Sequence, residues 1–103
     1  MIRILFASAV LFFVQINTAT ANQVRLAVTS SFHNSGLSDH LIPHVETDLK
    51  LEIQLVVVGT GQAIKLGQNG DVDAILVHSK PDEEEFVKTG FAKHRRQIMF
   101  NEY

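Results

Sequence analysis

Three short stretches of this 103-residue chain gather hydroxyls and glycine backbone where a ligand could be held: Thr29-Ser30-Ser31, Gly59-Thr60-Gly61 and His78-Ser79. Each follows a run of apolar residues and precedes a segment of helical character, so each places hydroxyls beside helix-opening amides that have no partner inside the helix. Hydroxyls and main-chain N–H groups donate hydrogen bonds without carrying a full charge, and at positive dipole ends they suit a tetrahedral oxyanion. A site of that kind holds a dianion and still releases it, as a carrier must and a catalyst need not. Ser and Thr ahead of a helix also serve as plain N-caps, and glycines as turn formers. Convergence of all three loops at one end of a sheet favours binding over capping alone. The predicted ligand set is Thr29, Ser30, Ser31, Thr60 and Gly61, with Ser79 as a further donor and with no metal or cofactor.

Other chemistries find less support. His40 and His44 stand four apart, so on a helix both rings could share a metal ion, with His33 or Glu46 as a further ligand. Pro43 falls inside that turn and would distort it. GTGQAI is not a dinucleotide fingerprint, because Ile64 stands where the third glycine belongs, and no Gly-Lys-Ser/Thr follows to make a phosphate-binding loop. Ser and His are present without a G-x-S-x-G elbow, and with no cysteine there is no thiol nucleophile, thiolate metal site or disulfide. An enzyme is not predicted. Arg95 and Arg96 are adjacent, so in a strand they point to opposite sides, and neither is assigned to the site.

The elements that must position these loops follow from the hydrophobic pattern. Residues 24–28 (VRLAV) read as a first strand, and the polar stretch TSSFHNSG ends it. A helix is expected to start near Ser35 or Gly36, with Leu37, Leu41, Val45 and Leu49 on its apolar face and a kink or restart at Pro43. Residues 51–58 (LEIQLVVV) read as a second strand whose far end is buried on both faces. A short helix follows GTG, and residues 73–77 (DAILV) form a third strand. The acidic run Asp82, Glu83, Glu84 and Glu85 opens the next helix, where carboxylates complement the macrodipole. A fourth strand is expected from Arg96. The alternation of strands and helices predicts an α/β fold, a three-layer sheet of mainly parallel strands with flanking helices. In such a sheet all three loops fall at the carboxyl ends of the strands.

Residues 1–21 have a different character. Arg3, an apolar run over 4–16 and the small residues Ala19-Thr20-Ala21 form the pattern of a cleaved secretory signal peptide. Polarity returns at Gln15 and Asn17, short of the roughly 20 apolar residues a membrane span needs. The mature chain is expected to begin at Asn22, as one domain over 22–103 in the periplasm. The formal net charge is −2, and one unit more negative without Arg3, which excludes a general nucleic-acid binder.

VTSSFHNSGL at 28–37, VVVGTGQAIKLGQNGDVDAILVHS at 56–79 and HRRQIMFNEY at 94–103 together resemble the periplasmic tungstate-binding components of ABC transporters, members of the class II solute-binding family. The resemblance implies two α/β lobes that close on tungstate or molybdate without metal cofactor or covalent chemistry. It also implies handover to a membrane permease driven by a separate ATPase, and a monomer when full length. On this reading 22–103 is the first lobe, truncated where the chain would cross into the second, with further ligand groups, one of them cationic, expected beyond Tyr103. The family's TTTS turn corresponds to residues 28–31, so Val28 replaces a hydroxyl with a methyl group, at an expected cost of about 1–3 kcal/mol in anion affinity. The alternatives are a metal-handling module built on His40 and His44, or a remnant without function.

Overall fold

The computed structural model describes residues 22–100. In chain order they form β1 (Asn22–Thr29), α1 (Ser30–Asn34), α2 (Leu37–Leu49), β2 (Leu51–Val58), α3 (Thr60–Gln68), β3 (Ala74–Leu76) and α4 (Lys80–Lys88). The strands make one parallel sheet in the order β2-β1-β3. Ala27 and Val28 are consecutive in the central strand, so their side chains point to opposite faces, yet both are fully buried. Both faces of the sheet are therefore covered at that level, as parallel strands require. Helix α3 packs on β1 and β3 and touches α4, while α2 packs on β2 and touches α1.

Where β3 joins is set by Asp73. Its amide donates to the Arg25 carbonyl, and its carboxylate accepts from the Arg25 amide, both at 2.9 Å. The opposite side of the sheet has its own fastening: the Glu46 carboxylate of α2 accepts from the Ile53 amide at 3.0 Å. An edge strand exposes unpaired donors, and a carboxylate laid on one of them blunts the edge. Being at the edge of the described sheet, β2 is less buried than expected. Val57, in the stretch predicted to be covered on both faces, is 40% exposed.

Helix α2 departs from its expected face. Leu37, Leu41 and Leu49 are exposed, and the inward positions are Ser38, which is fully buried, with Ile42 and Val45 partly covered. A strict four-residue step advances by about 40° each time on a 3.6-residue helix, so four such positions do not stay on one face. The rotation is set by Ser38, whose Oγ lies 2.7 Å from His33 Nδ1 of α1. Pro43 neither breaks nor restarts the helix, which runs continuously from Leu37 to Leu49.

The start expected near Ser35 or Gly36 is met at Leu37, after Gly36 has turned the chain with φ 84°. The five-residue α1 before it has too few positions to show a period. The helix ends at Lys50, the one non-glycine among the described residues with a positive φ, at 53°. A left-handed conformation is costly for a residue with a Cβ and free of that cost for glycine. Lys50→Gly is therefore expected to raise the unfolding free energy by about 0.5–1 kcal/mol, read as a higher urea midpoint at unchanged slope.

On the α3 side, Phe86 of α4 is 7% exposed and lies against Gly67 of α3. A Cβ at Gly67 would come within 2.7 Å of Phe86 Cζ, so the missing side chain is what lets the two helices approach. After α4, Phe91 stacks on Phe86 at 5.8 Å between ring centres. Residues 94–100 then carry no regular secondary structure, so the fourth strand expected from Arg96 is not formed over 96–100. The segment makes no ladder with the outer edge of either β2 or β3. Residues 1–21, where a leader is expected, and the last three residues lie outside the described residues.

Candidate functional site

The parallel register decides whether the predicted loops meet. Thr29 is paired with Val58, and Val28 with Leu76, so β1, β2 and β3 all finish at one end of the sheet. Thr29-Ser30-Ser31, Gly59-Thr60-Gly61 and His78-Ser79 follow those three ends directly and share one rim. The rim is also where α1, α3 and α4 begin.

The three helix starts differ in their electrostatics. Thr29 caps α1: it is 4% exposed, and its Oγ1 accepts from the Phe32 amide at 3.4 Å and shares a hydrogen bond with Ser31 Oγ at 3.2 Å. Two hydroxyl protons with one bond between them leave one proton for another acceptor. Ser30 and Ser31 are exposed. Helix α3 is capped by Gly59, which has no side chain to occupy the first amides, and its opening turn contains no acid. Thr60 Oγ1 is buried there and makes no hydrogen bond to any described residue. Gly61 is exposed, with nothing within 4 Å of where a Cβ would stand, so its backbone is open to close approach.

At α4 the donors are taken. The Ser79 amide donates to Glu83 Oε2 at 2.9 Å and its hydroxyl to Asp82 Oδ2 at 2.7 Å. Those acids offset the positive end of the helix, in keeping with the capping role expected for the acidic run. Anion-favouring potential therefore concentrates at α1 and α3.

The divergence of neighbours in a strand, which keeps Arg95 and Arg96 out of the predicted site, does not apply. Residues 95 and 96 are not in a strand, and both line a cleft of about 780 Å³ with Thr29 and Ser31. Arg95 is held by Glu83 of α4 (Nε to Oε1, 3.2 Å), with both side chains largely covered. Sequence reasoning missed this pair because its alternation rule presupposed the strand. The available signal was two adjacent guanidinium groups in an otherwise mildly acidic chain. Val28, by contrast, is fully buried in β1, so its methyl group belongs to the core; of the predicted donors Thr29 and Ser31 line this cleft, while Ser30, Thr60, Gly61 and Ser79 stand on the rim outside its lining.

The histidines divide. His40 and His44 do come together, with ring centres 5.5 Å apart. The two further ligands considered for them are engaged elsewhere, His33 with Ser38 and Glu46 with the Ile53 amide. Among the described residues no group of three or more metal-ligating side chains is assembled.

A parallel α/β domain with hydroxyls, open helix starts and a guanidinium-lined cleft at the carboxyl ends of its strands is a ligand-binding lobe in architecture. The chain belongs to the PBP superfamily, whose domain model matches residues 14–103. It is 43% identical over 86 residues to the tungstate-binding protein TupA of Peptoclostridium acidaminophilum, covering 84% of this chain and 30% of that protein. It is 38% identical over 84 residues to a putative ABC transporter anion-binding protein of Haloferax volcanii, covering 82% and 25%. Among solved structures, the tungstate-binding protein TupA of Desulfovibrio alaskensis G20 superposes with a TM-score of 0.76 at 43% identity, over 79% of this chain and 32% of that one. The chain thus spans about a third or less of the length of these relatives.

Proposed function

We propose that this chain forms one wall of a cleft that binds a tetrahedral oxyanion, tungstate or the similar molybdate, for delivery to the permease of an ABC transporter. The observation that carries the reading is Thr60 Oγ1, a buried hydroxyl without a partner among the described residues, standing at a helix start with no side-chain cap on the rim that also holds Thr29. A buried hydroxyl left unsatisfied costs about 1–3 kcal/mol, a cost that a bound oxyanion removes. Thr29, Ser30, Ser31, Thr60 and the Gly61 amide act as neutral donors. Arg96 and, once released from Glu83, Arg95 supply charge. Ser79, with both donors engaged, steadies α4.

The relatives' names, tungstate-binding protein and ABC transporter anion-binding protein, support the ligand class and the transporter partner. The small share of each relative that is matched supports a second wall contributed from outside 22–103, with 1–21 as the export signal and the periplasm as the compartment. Binding needs no metal and no covalent step. In calorimetric titration of the chain, alone and with the rest of a relative's length appended, sodium tungstate is expected to bind in the appended form with an affinity that survives excess chelator. Binding abolished by chelator, or no binding in that form, would overturn the reading.

A further inference from the structure

His40 and His44 lie on the exposed surface of α2, away from the cleft, and the oxyanion reading makes no use of them. We infer that they form a separate two-point site for a divalent transition metal of the copper or zinc kind, bound through one nitrogen of each imidazole, with water in the remaining positions. Residues four apart on a helix lie one above the other on the same face, and two histidines at that spacing form the paired ligands of helical zinc sites.

The measured separation fits. A metal about 2.1 Å from each ligating nitrogen lies about 3.2 Å from each ring centre. Ring centres 5.5 Å apart then subtend about 120° at the metal, close to the tetrahedral arrangement zinc prefers. The rings are inclined at 65°, which is no obstacle, since a ring can twist about its metal–nitrogen bond without changing that distance. Neither ring is hydrogen-bonded to another described residue, whereas His33 is committed to Ser38. Pro43, between the two, removes rotational freedom from the turn that carries them, so less freedom is lost when a metal joins the rings.

No third protein ligand reaches the pair among the described residues. The site is therefore open and exchangeable, and imidazole donors rank Cu2+ above Zn2+. This site is independent of the cleft and can fail or stand without it.

The test titrates the full chain with Cu2+, followed by calorimetry and electron paramagnetic resonance. The variants are His40→Ala, His44→Ala and, as a control outside α2, His94→Ala. His40→Ala and His44→Ala are each expected to weaken Cu2+ binding at least tenfold and to reduce the coupled nitrogens from two to one, with far-ultraviolet circular dichroism unchanged. His94→Ala is expected to leave both readouts as they were, and tungstate affinity of the appended form is expected to be the same in all four proteins. Loss confined to one of the two α2 histidines, or no greater than in His94→Ala, would overturn the inference.

Discussion

Phe86→Ala is expected to lower the free energy of unfolding by about 3–5 kcal/mol, a large share of the 5–15 kcal/mol typical of a small domain. Among the described residues the buried apolar set is Ala27, Val28 and Ala63 with Phe86, so Phe86 is its only large ring. Its removal opens a space between α3 and α4 that the glycine at 67 cannot fill. The same contact predicts an interaction that simple truncation would not show. Gly67→Ala alone places a methyl 2.7 Å from Phe86 Cζ, and is expected to destabilise by about 1–3 kcal/mol through overpacking. In the Phe86→Ala background that clash is gone, and the added methyl occupies part of the cavity and restricts the unfolded backbone. Urea unfolding of the two single variants and the double variant should give a coupling of about 0.5–3 kcal/mol, with the double variant more stable than the sum predicts. Additive losses would show that the two residues do not press on each other.

Thr60→Val is expected to move binding and stability in opposite directions. Valine keeps the shape and removes the hydroxyl, so the unliganded domain loses a buried polar atom that has no partner among the described residues. Its stability is expected to stay level or to rise by up to about 1 kcal/mol. The bound state loses a donor to the anion, and tungstate affinity is expected to fall about tenfold to a hundredfold, equivalent to about 1.4–2.8 kcal/mol. Thr60→Ser retains the hydroxyl and is expected to keep most of the affinity. Calorimetry on the appended form and urea unfolding of the chain itself read the two effects separately. Undiminished tungstate affinity in Thr60→Val would remove Thr60 from the site. A clear loss of stability would show that its hydroxyl has a partner in the unliganded protein.

Much of the architecture was legible from pattern alone. Residues 51–58 alternate and then become continuously apolar before Gly59, and β2 occupies that span. The acidic opening of α4 follows from dipole and capping chemistry within a single turn. What the pattern misplaced depended on partners distant in sequence. The buried side of α2 follows the His33–Ser38 contact and not the row of leucines. Residues 96–100 have strand-like composition, but they pair with neither edge of the described sheet and so form no strand.

The candidate site divides along the same line. By itself the sequence determined which side chains can donate to an anion, and that each follows a strand and precedes a helix, because residue type and local period are properties of short segments. The alternation of strands and helices also placed Thr29 and Thr60 at one end of the sheet, as the register has them; only the tertiary structure decided that Ser79 is already occupied by Asp82 and Glu83, and that Arg95 and Arg96 line the cleft together. Strand order, register and the path of an irregular segment are settled by contacts between residues tens of positions apart, and no local pattern encodes such contacts.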